Sequence, residues 1–487
     1  MAELPDPSIP SKQYLEMLPK WDKINTLIEG TEAMRASGPK YLPKYPLETD
    51  EGYNARLESA VLYNFIELTL NSMTGKPFSD LIDLSKVSED LKPYLDNVDL
   101  QGNHLLVFIR GWLKDSLAKG FSHCYVDFPR VDKENRTLAD DREEGVRPYL
   151  VAIKPEDIIF GHSDIENGEE KLKMIRIRSV ETTLDGFDVK TVEQIKVITP
   201  GLVQIYHEIK DDKNKKPRWE KKEEYTYDLD FIPLVTFYSE RTAFMLSKPP
   251  LLDLADLNIR HWQSTADQQS ILTVTRFPIL AGSGVTPDEA KLAIGPKTYL
   301  ITSDPQGRFY YVEHTGKAIE AGRQELLDLE ERMANYSAEF LKKRVGRTSA
   351  TAKAIDTAES FSVLQDITYR FEDAVAQALY YMALWISKQD GGTVQLNKDF
   401  GPDVSDKQDL DAILEARKNG DLSRENFLNQ LKRRGILEQD FSIEENEEDL
   451  EEEESISLKP MSGNLDPNNP ENEDQEDEDT VEEPGDD

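Results

Sequence analysis

Between Gly316 and Gly391 the chain has no proline, and the only glycines inside that interval are Gly322, near its start, and Gly346. Proline removes a backbone donor and glycine loosens a helix, so a stretch this long and this poor in both favours helix on either side of Gly346. From Lys317 to Arg344, Leu326, Leu329, Met333, Tyr336 and Phe340 recur at spacings of three and four, the period of one buried stripe. From Lys353 to Lys388 the stripe continues as Leu364, Ile367, Phe371, Val375, Leu379, Met382 and Ile386. At about 1.5 Å per residue the second run predicts a helix roughly 50 Å long. Such lengths belong to coiled coils, membrane spans or large assemblies. Asp356, Glu359, Asp366, Arg370, Glu372 and Asp373 exclude a span, which leaves a coiled coil or an assembly.

A chain of 487 residues with 38% hydrophobic content is expected to form about two to four domains with cores of their own. No apolar stretch approaches the ~20 residues of a membrane helix, and Met1 to Pro10 lack the features of a signal peptide, so a soluble cytoplasmic protein is expected. The single Cys124 makes neither an intramolecular disulfide nor a cysteine-based zinc site, which fits a reducing compartment.

The net charge of -36 is uneven: residues 441–487 hold 21 acidic residues and one base, Lys459. A surface this acidic argues against ordinary phosphate-neutralising DNA binding. It leaves room for a conduit through which DNA passes without sticking.

Residues 1–50 are punctuated by Pro39, Pro43 and Pro46 and read as an arm with one short helix near Lys20 to Thr31. A helix is predicted from Glu51, with Tyr53, Leu57, Ala60, Val61, Asn64, Phe65 and Leu68 on one face, until Gly75 and Pro77 stop it. Another spans about Gln101 to Lys119, with Leu105, Phe108, Ile109, Trp112, Leu113, Ser116 and Leu117 inward. The period then becomes two, with Cys124, Val126 and Phe128 opposite His123, Tyr125 and Asp127 on a strand. Residues 149–238 read as an antiparallel meander, with strands at Lys173 to Thr182 and Val192 to Thr199 about an Asp185-Gly186 turn, and at Leu202 to Lys210 and Trp219 to Tyr227 about a lysine-rich loop.

Pro249 and Pro250 open a helix reaching about Val274. A small mixed insert follows: a strand at Arg276 to Ala281, a short helix from Thr286-Pro287-Asp288-Glu289, and strands at Thr298 to Thr302 and Phe309 to His314. Beyond Gly401, Ser405 and Gln408 match a capping box and Gly420 marks the turn of a helical hairpin. Residues from Glu444 onward read as a solvated acidic tail without a fold.

No catalytic, cofactor-binding or metal-binding set emerges. The histidines His104, His123, His162, His207, His261 and His314 are scattered, and His123 and Cys124 point to opposite faces of their strand. Gly75-Lys76 lacks the upstream glycine of a P-loop and is followed by Pro77. Gly282-Ser283-Gly284 is too short for a nucleophile elbow. Against this acidic background Lys342, Lys343, Arg344, Arg347 and Lys353 form a run of cations without an acid. They either complement a helix C-terminus or touch a phosphate backbone. Lys213 to Lys222 and Lys432-Arg433-Arg434 read as solvated loop or helix ends.

The order of these parts resembles the portal proteins of tailed bacteriophages. Tyr41-Leu42-Pro43, Tyr53 with Arg56, Gly75 with Pro77-Phe78, and Pro249-Pro250-Leu251-Leu252-Asp253-Leu254-Ala255 are similar to a portal-like phage family long catalogued as a domain of unknown function. The similarity covers about residues 40–440, and the ordered set carries it rather than any single motif. It implies an α+β, mainly helical fold. The implied parts are a β-rich wing (1–248), a stem helix (249–275), a small α/β clip (276–316) and a second stem helix (317–344). A tunnel loop (345–352), a long wing helix (353–400), a helical crown (401–440) and a disordered acidic tail (441–487) complete it.

The implied function is a closed homo-oligomeric ring, dodecameric in the family, at one capsid vertex. Double-stranded DNA passes through it without sequence recognition, and terminase, head-tail adaptor and capsid or scaffold proteins are its partners. The implied location is the virion, with assembly in the host bacterial cytoplasm. Val345, Gly346, Arg347, Thr348, Ser349 and Ala350 would then belong to the tunnel loop, the cations from Lys342 to Lys353 to the DNA channel, and Asp288, Glu289, Lys291 and Lys297 to the docking surface of the clip. Portals carry no catalytic site, and terminase supplies ATP hydrolysis. Two other readings stay open: a non-annular virion or scaffold-interaction protein whose acidic tail binds partners, and a metal-dependent nuclease.

Overall fold

The computed structural model describes residues 6–79, 82–129, 144–209, 218–276, 279–284, 304–312, 316–340, 362–398, 400, 407–433, 436–437, 441 and 446. The chain divides into two compact units, Met1–Gly401 and Pro402–Asp487.

Helix α1 (Lys12–Glu29) starts at Ser11, whose Oγ accepts the Tyr14 amide at 3.1 Å. It begins earlier than the short helix expected near Lys20 and continues past Pro19. A proline inside a helix costs a hydrogen bond and a clash, about 3 kcal/mol or more. Met17, Trp21, Ile24 and Leu27 lie buried along the same helix and offset that cost. Helix α2 (Thr31–Ala36) follows directly.

The continuous helix expected from Glu51 to Gly75 is two helices, α3 (Asp50–Ser59) and α4 (Phe65–Gly75). Partners from elsewhere take the backbone groups at the break. Arg35 donates to the Ala60 carbonyl, and Asn258 accepts the amides of Phe65 and Ile66. Val61 and Leu68, placed on the buried face by periodicity, are exposed. A five-residue interruption rotates the second helix out of phase with the first.

Helix α5 (Leu105–Lys119) buries every residue its periodicity selects, and Gly120 ends it in the left-handed conformation at φ 91°. Strand β1 (Phe121–Asp127) pairs antiparallel with β2 (Tyr149–Ile153). Strands β3 (Ile158–Glu166), β4 (Glu169–Asp185), β5 (Asp188–Thr199), β6 (Leu202–Ile209) and β7 (Arg218–Thr226) form an antiparallel five-stranded sheet in chain order. This is the expected meander, with Gly186 at φ 66° in the turn after Asp185. The strands of the first hairpin are longer than the alternation suggested. Lys221 and Lys222 lie on β7, within the strand expected at Trp219 to Tyr227.

Strand β8 (Leu234–Tyr238) returns to β1, giving a second sheet ordered β2-β1-β8. Cys124 and Val126 enter the main core, while Tyr125 joins Ile153 in a second core against the meander. Both faces of β1 are therefore covered. Strands β9 (Arg241–Ala243) and β10 (Leu246–Ser247) make a short ladder.

Helix α6 (Leu252–Thr275) leads to strands β11 (Ile279–Ser283) and β12 (Arg308–Val312), which pair antiparallel. The expected short helix from Thr286 and the strand at Thr298 lie outside the described residues. Helix α7 (Lys317–Glu339) and helix α8 (Val363–Trp385) come next. The expectation of one helix from Lys353 to Lys388 is corrected: Ser362 is extended, with φ -71° and ψ 158°, and starts α8. Its Oγ accepts the Gln365 amide while Gln365 accepts the Ser362 amide, a reciprocal cap that satisfies two otherwise orphaned donors. At 23 residues α8 is about 35 Å long rather than roughly 50 Å.

In the main core, Phe371 of α8 meets Trp112 of α5 and Phe237 of β8 at centroid distances of 5.3 and 4.9 Å. In the second unit, α9 (Lys407–Lys418) and α10 (Arg424–Arg433) form a hairpin with Gly420 at φ 83° between them. Ser405, expected in its capping box, lies outside the described residues.

Candidate functional site

Helices α6 and α7 run antiparallel, and α7 is exposed around most of its circumference. From the stripe expected on α7, Leu329 and Met333 are buried, and Tyr336 and Phe340 pack partly buried against the core. The opposite side shows Glu320, Gln324, Leu327, Asp328 and Glu331 to solvent. On α6, burial among the described side chains ends at Gln268. The far part of the pair therefore leaves the core, each helix supported mainly by the other.

The seam between them is polar. Along α6 the stripe Asn258, His261, Ser264 and Gln268 is buried. His261 Nε2 lies 3.3 Å from Glu330, Ser264 donates to Glu325 at 3.3 Å, and Gln268 Nε2 donates to the Ile319 carbonyl at 2.9 Å. Gln268 crosses directly over Gly322, where an added Cβ would collide with Gln268 Oε1. A side chain at this position would have to displace the end of Gln268 from its bond to Ile319. At the base, Tyr336 donates to the Pro250 carbonyl at 3.0 Å. Such bonds need fixed partners and set one register for the pair, whereas a purely apolar seam tolerates sliding.

Asn258 also fixes the base of α6 to the rest of the unit. Its Oδ1 accepts the amides of Phe65 and Ile66 at 3.0 and 3.1 Å, and its Nδ2 donates to the Tyr63 carbonyl at 2.9 Å. It thus caps α4 from another helix, saturating donors that α4 leaves open.

A second anchor gathers residues that are far apart in the chain. Arg56, 6% exposed, donates Nε and Nη2 to the two carboxylate oxygens of Glu48 at 2.8 Å each, Nη1 to Asp267 of α6 at 3.2 Å and Nη2 to the Pro43 carbonyl at 2.9 Å. Tyr45 stacks on the guanidinium at 4.5 Å and donates its hydroxyl to Asp267 at 2.5 Å. Gln263 of α6 donates to the Tyr41 carbonyl at 2.9 Å. The Arg56 hydrogen bonds hold the Glu48 carboxyl below its ordinary pKa, against the opposing effect of burial. Tyr41, Pro43 and Arg56, residues on which the sequence resemblance rests, therefore meet at this anchor on α6.

Residues 250–386 match a family described as a domain of unknown function (DUF4055). The match spans α6, the strands β11 and β12, α7 and α8, less than half of the chain. No curated protein matches the sequence. Among solved structures the chain is similar to the neck of an empty GTA particle computed with C6 symmetry, at 11% identity and a TM-score of 0.37, over 76% of this chain and 89% of that one. It is also similar to the neck of a native GTA particle computed with C12 symmetry, at 10% identity and a TM-score of 0.41, over 82% and 98%. At such scores neither likeness fixes a fold or an assembly.

The residues singled out from the sequence as channel contacts, Lys342, Lys343, Arg344, Arg347 and Lys353, lie outside the described residues. So do the expected tunnel loop from Val345 to Ala350 and the expected clip surface of Asp288, Glu289, Lys291 and Lys297. What the structure adds is the polar stripe from Asn258 to Gln268 and the Arg56 anchor. The first was hidden because its polar residues interleave with the apolar periodicity of Leu254, Leu257 and Trp262 on α6 and leave no separate period of their own.

The titratable groups here are engaged in structural bonds. Among the described residues no group of three or more His, Cys, Asp or Glu is placed to hold a metal ion. His123 and Cys124 diverge as expected: His123 Nδ1 lies 2.9 Å from Thr236 Oγ1, and burial alone pushes the Cys124 thiol up. A cleft of about 210 Å³ between the two sheets is lined by Tyr125, Asp127, Asp157, Arg178, Lys196 and Ile198, with neither histidine nor cysteine in its walls.

Proposed function

We propose that this chain is the subunit of a ring-shaped phage portal, a channel at a unique capsid vertex through which DNA is packaged and later ejected. The α6–α7 pair carries the reading. It is a register-locked antiparallel helix pair, joined through a segment containing a small two-stranded ladder, with most of α7 uncovered in a single chain. Uncovered long helices are stable when neighbours supply the missing contacts, and a head-to-tail ring does so at every subunit. The Arg56 and Asn258 anchors fit the same role, because force along a channel must pass from the helix pair into the wing.

In this reading the acidic side of α7, with Glu320, Asp328 and Glu331, discourages tight contact with phosphate. The cations from Lys342 to Lys353 supply a few sequence-independent contacts. The segment between α6 and α7 is the docking surface for terminase and later for head-tail adaptors. The ring works without its own catalytic chemistry, lies in the virion and assembles in the host cytoplasm.

Electron microscopy of the purified full chain tests this directly. Closed rings with a central channel are expected, and a strictly monomeric or dimeric species under all assembly conditions overturns it. Replacing both Arg344 and Arg347 with alanine is expected to lower DNA packaging or retention while leaving rings intact; unchanged packaging would make them helix-end cations only.

A further inference from the structure

The end of α5 is held by charges that do not balance. Lys119, the last residue of that helix, is 5% exposed, and its Nζ lies 2.9 Å from Glu156 Oε1 and 3.9 Å from Asp115, one turn earlier. Glu156 and its neighbour Asp157 belong to the turn Pro155–Asp157, which links β2 of one sheet to β3 of the other. Asn25 of α1 donates to the same Glu156 Oε1 at 2.7 Å, and Trp21 of α1 donates its indole N–H to the Lys119 carbonyl at 3.0 Å. Helix α1, helix α5 and the link between the two sheets therefore meet at one cluster.

Among the described residues, the carboxylates of Asp115, Glu156 and Asp157 surround this one buried ammonium. Glu156 takes the short contact and leaves Asp115 the longer one, and Glu156 Oε2 is buried without a hydrogen-bond partner among the described residues. Facing the same set are Lys114 of α5 and the exposed Lys154 before the turn. On the α1 side stands the Tyr14 hydroxyl, within the fields of Glu156, Asp157 and, from β4, Arg178. Burial disfavours an ionised carboxyl, and a second carboxylate nearby disfavours it further. Burial pushes the Asp157 carboxyl up, Glu156 adds to the shift, and Lys154 and Lys119 oppose it only in part. Burial pushes Asp115 up as well, partly opposed by Lys119, with Glu156 acting in the same direction as burial. A proton on either aspartate relieves the excess negative charge and leaves the Lys119–Glu156 contact in place.

We propose that Asp115, Lys119, Glu156 and Asp157 form a proton-operated latch, which holds α1 and α5 to the link between the sheets more firmly in mild acid than at neutral pH. The two aspartates take up a proton in the folded chain before they do so in the unfolded one. Their contribution is therefore complete below the ordinary 3.8 and is lost as pH rises through the higher folded values. The Arg56–Glu48 anchor has the opposite sense, since its carboxyl is held below the ordinary value. Acid thus tightens the fixing of α1 and α5 while it loosens the fixing of α6.

Denaturant unfolding of the full chain and of its Asp115→Asn variant, between about pH 7 and about pH 4, tests the latch. Asparagine keeps the shape of the side chain and removes its ionised form. The variant is expected to unfold at a higher denaturant concentration than the parent near neutral pH, and this advantage is expected to shrink toward zero as pH approaches 3.8. Asp157→Asn is expected to show the same sign and the same trend. In a Glu156→Gln background the advantage of Asp115→Asn is expected to be smaller, because Glu156 supplies part of the repulsion and Lys119 is then free to pair with Asp115. If Asp115 and Lys119 form only an ordinary ion pair along α5, Asp115→Asn lowers the midpoint near neutral pH instead, and the proposal is overturned. A difference that stays constant across the pH range, or an advantage undiminished by Glu156→Gln, overturns it as well.

Discussion

Arg56 grips Glu48 through two parallel hydrogen bonds of 2.8 Å, with Arg56 6% and Glu48 13% exposed at their side chains. This fork, extended to Asp267, ties the segment from Pro43 to Glu48 and helix α3 to the middle of α6. A planar guanidinium suits this geometry and an ammonium does not.

Replacing Arg56 with methionine is expected to lower stability by about 3 kcal/mol, because it leaves the Glu48 carboxylate partly buried and unpaired. Arg56→Lys should recover only part of that loss. Denaturant unfolding of the three proteins measures it. An Arg56→Met protein as stable as the parent would show that the fork does not hold α6.

Acid should loosen the same anchor. Arg56 holds the folded-state Glu48 below the ordinary 4.5, so its contribution is present above that value and is lost as pH falls through the folded one. The acid-induced loss should be smaller in Glu48→Gln than in the parent, measured as unfolding midpoint between pH 5 and 3.

His123 behaves in the opposite chemical sense with the same outcome. Burial pushes its pKa down from 6.5 to about 3, so the folded state keeps it neutral while the unfolded state takes up a proton. Its penalty should grow as pH falls below 6.5, at roughly 1.4 kcal/mol per pH unit, and level off near pH 3. Subtracting the pH profile of His123→Gln from that of the parent should isolate this slope. A flat difference between pH 6 and 4 would show that His123 is protonated in the folded chain.

Gly322→Ala should displace Gln268 and destabilise the helix pair by about 1–3 kcal/mol through overpacking. In a Gln268→Ala background the sign should reverse, since alanine is favoured over glycine in a helix by about 1 kcal/mol. A double-mutant cycle on unfolding free energies reads this coupling, and additive effects would mean that the Gln268–Gly322 contact is not made.

Ser362→Ala should cost about 1 kcal/mol in unfolding free energy by removing the cap of α8. Should α8 instead run on continuously from Lys353, the substitution would change helicity and stability little.

Several parts of this arrangement were legible in sequence. Helix α5 is one: its stripe from Leu105 to Leu117 is entirely apolar apart from Ser116, and Gly120 follows at once, so local signals and burial agree. The Asp185-Gly186 turn is another, because a turn type demands particular residues. The α3–α4 break is hidden in the sequence because the 3.6-residue period runs across it by coincidence; α4 starts at Phe65, where Asn64 caps the Glu67 amide and Asn258, far away in the chain, takes those of Phe65 and Ile66. The start of α8 is encoded locally as Ser362-x-x-Gln365, but the helix period of the residues before it hides the cap. The Arg56 anchor was visible only as a set of residues, with nothing to say that they meet.

By itself, then, the sequence determined which stretches are amphipathic helix and which are alternating strand, since periodicity and end signals are local and depend on backbone geometry alone. It also determined that the chain as a whole is acidic. Only the tertiary structure decided which flank of α6 faces α7, and that Arg56, Glu48 and Asp267 share one site. Those outcomes depend on buried hydrogen bonds between residues distant in the chain. Such bonds leave no period behind, yet a buried donor or acceptor without one costs about 1–3 kcal/mol.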